Sequence, residues 1–259
     1  MKKSRLSYLP LITVFIYLIV PLLATFLYSV STKWNQTILP EGITFKWYTE
    51  LFNDGAFTSA IIRSLLLSGG ATILSVLFMV PAIFAIVVYA PRLEKGLQAI
   101  VLLTYAMPGV IMAVGLLRAY SGAGIPMVLV TVGAYFIGIM PYMYQGTRNS
   151  LRNIHASSLM EAAELLGATK VTAFRNIIVP NIMTGILVSA LLSFSILFGE
   201  FVLANLLVGG SYETVQIYLY QQLKKSGHFS SAIVVCYFLF ICILSSLVVT
   251  FTQRKKESF

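Results

Sequence analysis

The stretch EAAELLGATKVTAFRNIIVP, Glu161 to Pro180, is a polar, helix-forming segment in a chain that is otherwise close to hydrocarbon. It carries two glutamates, a lysine and an arginine, with Gly167 and Pro180 as punctuation. Of the 259 residues, 58% are hydrophobic and 10% are charged, and the mean hydropathy is +0.87. A soluble domain carries about a quarter charged residues. This composition describes an all-α polytopic membrane protein, and the work of the stretch depends on which side of the membrane it faces.

A crossing helix needs about 20 mostly apolar residues. Six segments meet that requirement: about 8–30, 65–89, 97–117, 126–144, 182–203 and 231–252. The first follows a basic start, but its apolar part runs from Leu6 to Val30, longer than the core of a cleaved signal. We expect an uncleaved span. Pro21, Pro81, Pro108 and Pro141 fall inside or at the ends of spans, where neighbouring helices can satisfy freed carbonyls. Glycines in LSGGATILS and TVGAYFIGIMP are expected to let helices approach closely.

The net charge of +9 has no basic stripe with interleaved aromatics, which argues against nucleic acid. With the N-terminus inside, Lys2, Lys3, Arg5, Arg92, Lys95, Arg148, Arg152, Lys170, Arg175, Arg254, Lys255 and Lys256 lie inside. Lys33, Lys46, Arg63, Arg118, Lys224 and Lys225 lie outside. The bias places both termini in the cytoplasm, and with them the longest inside loop, 145–181. Outside, WNQTILPEGITFKWYTELFND holds a turn signal and a short amphipathic stretch whose Trp47 and Tyr48 suit the headgroup level. Cys236 and Cys242, six apart in an apolar run, read as filler rather than as a disulfide or metal site.

Within the inside loop, Ser157 or Ser158 is expected to cap a helix, with Glu161 and Glu164 near its positive end. Leu159, Ala162, Ala163 and Leu166 supply an apolar, small-residue face. Gly167 suits the positive-φ position just past the helix end, and a second helix, about 170–178, follows before Pro180. A helix, a glycine turn and a helix tied at both ends to spans make a rigid knob.

The order Glu161, Ala162, Ala163, Gly167, Ile177, Val179, Pro180 resembles the EAA signature of ATP-binding-cassette importer permeases; Val179 stands where that family usually has Leu. RSLLLSGGATILSVLFMVPAIFAIVVYAPR, Arg63 to Arg92, looks like the start of its conserved core, about 61–252, so the resemblance covers nearly the whole chain. It implies a single transmembrane domain over 1–259 with six helices in the type I importer permease fold, in a bacterial inner membrane. It also implies that Glu161, Ala162, Ala163, Gly167, Ile177 and Pro180 belong to a coupling helix seated in a cleft of an ATPase subunit. The partners implied are two ATPase chains, a second related permease chain and an extracellular binding protein. GATKVTAF and GGSYETVQ do not match a phosphate-cradling P-loop. We therefore expect no cofactor in this chain and no catalysis; ATP and Mg would bind the partner.

Glu200 is the clearest charge within a span, about 27 Å from the inner end of span five at 1.5 Å per residue. Gly199 beside it is a candidate break, and Ser195 and Asn205 flank it at five residues either side. It reads as a carboxylate paired with Arg118 or Arg63, as a group reaching the interface, or as part of a substrate pathway with Ser195 and Asn205. A pathway carboxylate suits a cationic substrate. GITFKWYTELFND and FGEFVLANLLVGG look most like permeases for polyamines, aminoethylphosphonate and ferric iron, which leads to a spermidine/putrescine-type importer with the other two as alternatives. An intramembrane serine protease would need Ser121 beside a histidine, but His155 lies in the inside loop and His228 lies outside. A secondary transporter usually shows repeated halves, and none is visible.

Overall fold

The computed structural model describes residues 8–257 apart from 35, 36 and 38. The charges expected inside at Lys2, Lys3 and Arg5, and part of the outer turn segment, lie outside the described residues. The chain forms two compact units, one of 1–59 with 218–242 and one of 60–217 with 243–259.

In the first unit, α1 (Leu9–Ser29) is apolar all round and accommodates Pro21, near which Thr25 Oγ1 donates to the Pro21 carbonyl at 2.9 Å. A two-stranded antiparallel ribbon follows, β1 (Ser31–Lys33) on β2 (Glu41–Ile43), pairing Ser31 with Ile43 and Lys33 with Glu41. No strand was expected from the sequence. Gly42 makes the ribbon fit: its φ is +72°, and a Cβ there would meet Thr32 Oγ1 at 2.7 Å.

The amphipathic stretch is α2 (Lys46–Asn53). Its Trp47 Nε1 donates to the Ser31 carbonyl at 2.9 Å and its Tyr48 hydroxyl lies 2.6 Å from Ser29 Oγ. Both aromatics thus have partners in the chain itself. Asp54 starts the next helix, accepting from Ala56 N–H at 2.8 Å and from the Tyr218 hydroxyl at 2.6 Å. The Tyr218 hydrogen bond leads in holding its carboxyl below the usual range, against partial burial, with the Ala56 and Phe57 amides and Lys225 adding to the lowering.

Helix α3 (Gly55–Tyr89) begins ten residues earlier than expected and carries Arg63 within it. One stripe of it is buried, from Ser64 and Leu67 through Ala71 and Ser75 to Val80 and Phe84, while Leu66, Ile73, Leu77 and Phe78 are exposed. Such a helix is lipid-facing on one side and packed on the other.

The expected third span is not one helix. It is α4 (Glu94–Ala106) and α5 (Gly109–Tyr120), bent by 96° between them. The cause is Pro108, whose ring forces Met107 out of the helical region, to φ −86° and ψ 116°. The fourth, α6 (Met127–Gly138) and α7 (Met140–Asn153), bends by 42° at Ile139 and continues nine residues past its expected inner end.

Next come α8 (Ala156–Leu165), then α9 (Lys170–Ala173), a π-helical turn Phe174–Ile178 and α10 (Val179–Phe198). The expected separate helix at 170–178 is therefore the first part of a span running Lys170–Phe198. Pro180 sits near the N-terminus of α10, where its missing N–H is tolerated beside the widened turn. The last elements are α11 (Val202–Leu207), α12 (Val215–Leu223) and α13 (Gly227–Glu257). Among the described residues, four helices are long and apolar enough to cross a membrane, or up to six when each bent pair is one span.

The expected glycine approaches do not occur within the chain: a Cβ on Gly69, Gly70, Gly133 or Gly138 would meet nothing within 4 Å. The close pair is instead α7 on α10. A Cβ on Gly146 would lie 1.6 Å from Ser189 Oγ, and one on Gly185 would lie 1.8 Å from Ser150 Oγ. Each helix offers a glycine and, one turn on, a serine, so the two notch into each other.

Candidate functional site

Helix α8 begins at Ala156, with His155 as its N-terminal flanking residue in the left-handed region at φ 49°. Ser157 and Ser158 are inside the first turn and do not cap it, because α7 runs on to Asn153 and leaves room only for Ile154 and His155 as a link. At the other end Gly167 takes φ +86°. Its N–H donates to the Glu164 carbonyl at 3.0 Å, and Ala168 N–H donates to the Ala163 carbonyl at 3.0 Å. These two bonds close a Schellman turn. Thr169 then caps the next helix, its Oγ1 accepting from Thr172 N–H at 3.2 Å.

The expected apolar face divides in two. Ala156, Met160 and Ala163 are buried in a core with Phe84, Leu151, Ala173, Ile178 and Ile182, so Ala163 seats the helix on its own chain. Glu161, Ala162 and Gly167 face outward, and Leu165 and Leu166 are 88% and 89% exposed. Ile177 is half-buried and Pro180 exposed on the continuing helix. Tyr89, unforeseen from the sequence, braces the knob: its hydroxyl donates to Glu164 Oε1 at 3.2 Å, and Lys170 Nζ lies 4.6 Å from its ring centre.

Around Glu200 the chain breaks between α10 and α11. Glu200 Oε1 accepts from Leu203 N–H at 2.9 Å, while Oε2 accepts from Ala204 N–H at 3.1 Å and from the Tyr135 hydroxyl at 3.3 Å. The carboxylate satisfies the first amides of α11, which have no partner inside the helix. Neither Arg63 nor Arg118 pairs with it; Arg63 lies over the Tyr212 ring at 5.8 Å and Arg118 is exposed. Ser195 Oγ donates to the Leu191 carbonyl at 2.9 Å, and Asn205 is half-buried on α11. No hydrogen bond joins these two to Glu200.

A second charged cluster escaped sequence reasoning. Glu94, at the start of α4, takes the Arg148 Nε and, at 3.0 Å, the Arg152 Nη2 from the end of α7. Its side chain is 13% exposed. The partners are 54 and 58 residues away, so no local pattern could announce them.

A family model described as "Binding-protein-dependent transport system inner membrane component" matches residues 78–258. The chain is 28% identical over 212 residues to the spermidine/putrescine transport system permease protein PotC of Haemophilus influenzae, covering 82% of each chain. It is 27% identical over 188 residues to the putative 2-aminoethylphosphonate transport system permease protein PhnV of Salmonella typhimurium, covering 71% of this chain and 70% of that one. Among solved structures, a bacterial alginate ABC transporter in complex with an alginate pentasaccharide-bound periplasmic protein matches with a TM-score of 0.68 at 19% identity, over 98% of this chain and 94% of that one. The MetNI methionine ABC transporter, in inward-facing form, matches with a TM-score of 0.58 at 16% identity, over 78% and 99%. The fold is that of ABC importer permeases, and the family match covers more than half of the chain. The chain belongs to the binding-protein-dependent transport system inner membrane components.

Proposed function

We propose that this chain is one permease half of an ATP-driven importer in a bacterial inner membrane, passing a small amine-bearing solute handed over by an extracellular binding protein. ATP is hydrolysed by separate subunits, and α8 carries their motion into the spans. One observation carries the reading: α8 buries Ala156, Met160 and Ala163 in its own core while presenting Leu165 and Leu166 almost fully exposed at a closed glycine turn. Exposed leucines at a rigid tip cost free energy in water unless another surface covers them. Since α7 and α10 clasp each other directly behind the knob, a force on α8 reaches both spans. A cross-link from Leu165→Cys to the ATPase subunit tests the assignment. A specific, nucleotide-dependent product supports it, and cross-linking no stronger than from an exposed residue elsewhere, such as Lys95→Cys, defeats it.

The solute class rests on the relatives. PotC is named for spermidine and putrescine and PhnV for 2-aminoethylphosphonate, and all of these carry a primary amine. The relative matched over the greater length supports a polyamine. The second reading, an aminophosphonate, is favoured by Arg148, which brings a cation to a cavity between α4 and α7. Uptake of labelled putrescine and of labelled 2-aminoethylphosphonate, with and without this chain, tests the class; uptake of neither that depends on the chain would refute it.

A further inference from the structure

Between α4 and α7 lies a cavity of about 600 Å³, lined by Gln98, Tyr105, Tyr144, Gln145 and Arg148 among others. These polar groups share the lining with Val101, Leu102 and Pro141, and Leu103 beside it is exposed. Gln145 and Tyr105 are exposed, whereas Tyr144 is buried and its hydroxyl has no hydrogen-bond partner. Arg148 lies over the Tyr144 ring at 5.8 Å. Its Nε is taken by Glu94, but no hydrogen bond occupies its terminal nitrogens. With Arg152 on the same carboxylate, two guanidiniums face one acid, leaving one positive charge. At the other end, about 10 Å along α4 from Gln98, Tyr105 meets Tyr142 edge-on at 5.8 Å. Gln98 is one turn from Glu94 and Gln145 three residues from Arg148, so the lining has a cationic end that holds both amides and a far end of the Tyr105 hydroxyl and aromatic rings.

A polycation is disfavoured beside two guanidiniums that share one carboxylate. Glu200, the acid that suits a cation, has both oxygens engaged by backbone amides and Tyr135. We propose that this cavity is a water-filled station for a small zwitterion, its oxyanion against Arg148 and the amide N–H groups of Gln98 and Gln145 and its amine toward the hydroxyl and ring of Tyr105. Guanidinium and oxyanion make charge-assisted hydrogen bonds, while a phenol oxygen and tyrosine rings suit an ammonium. The inference rests on the importer reading and chooses within its amine-bearing class.

The test uses the full chain with its partner subunits in inside-out vesicles, with Cys236 and Cys242 replaced by serine. Gln145→Cys, and Gln98→Cys as a second probe, are labelled with a sulfonate-bearing and with a trimethylammonium-bearing thiosulfonate reagent. Leu103→Cys, off the lining, is the control. The expected result is labelling at least threefold faster with the anionic reagent at both probes, slowed by 2-aminoethylphosphonate and not by putrescine, with neither effect at Leu103→Cys. Absent labelling at both probes, a preference for the cationic reagent or none, protection by putrescine, or no protection by 2-aminoethylphosphonate each overturns the proposal. The labelling needs no ATP turnover. Failure of the importer reading shows separately, as loss of all ATP-dependent uptake by the complete assembly.

Discussion

Both oxygens of Glu200 are used where α10 has ended and α11 has not yet closed its first turn, so removing the carboxylate leaves two backbone amides unpaired. An unsatisfied buried donor costs about 1–3 kcal/mol. Glu200→Ala is expected to lower thermal stability by that order, and Glu200→Gln by less, because one amide oxygen still accepts. Adding Arg63→Gln or Arg118→Gln restores nothing, since neither arginine is a partner; thermal unfolding of the single and double variants checks this, and rescue by either arginine change would contradict the cap. Asp54 makes a pH-dependent counterpart. Its folded pKa is lowered, first by the Tyr218 hydrogen bond, so its contribution is complete above the ordinary carboxylate range. It is lost as pH falls through the lowered folded value. Asp54→Asn should therefore flatten stability against pH on the acid side and leave the alkaline side unchanged, as read by thermal melts across that range. At this scale the sequence exposed the oddity of a glutamate in a span, and even Gly199 as a break, but not the answer. The partners are backbone amides three and four residues on, which become available only because the helix stops.

Among the elements, the clasp of α7 on α10 offers the sharpest packing test. Gly185→Ala puts a Cβ 1.8 Å from Ser150 Oγ and 2.9 Å from its Cβ, so the helices must part. Overpacking of this kind costs about 1–3 kcal/mol. Ser150→Ala in the same chain removes the nearer clash and should return part of the loss, a coupling that a double-mutant cycle measures; additive effects would show that the two residues do not meet. The existence of most spans was legible from apolar length alone. Their continuity was not, because Pro21 and Pro81 ride inside helices while Pro108 breaks one, and the residue type alone does not tell them apart. Glycine misled for the same reason: Gly69 and Gly70 look like packing notches yet face open space within the chain, whereas Gly146 and Gly185 each meet a serine.

For the whole molecule, the knob between α7 and α10, the proposed coupling element, is where the local sequence was most legible. Gly167 takes its positive φ as its spacing required, and its turn is closed by bonds to Ala163 and Glu164. The proposed solute station was less legible, since Gln98 and Arg148 come together only through the packing of α4 on α7. We expect the working assembly to hold two permease chains, this one and a related partner, with two ATPase chains. Native mass of the complex purified with its partners measures that stoichiometry, and a transport-competent particle containing this permease alone would refute it. The central claim, that α8 transmits ATP-driven motion, is tested most directly at Gly167. A Cβ there meets nothing within 4 Å, so the effect of substitution is on the backbone. Leucine pays about 1–2 kcal/mol in the left-handed region, which asparagine enters more readily. The measurement is stimulation of ATP hydrolysis by the loaded binding protein in the reconstituted assembly, at equal subunit content. The account predicts stimulation reduced at least fivefold in Gly167→Leu and largely retained in Gly167→Asn; equal stimulation in Gly167→Leu and the unaltered chain would contradict it.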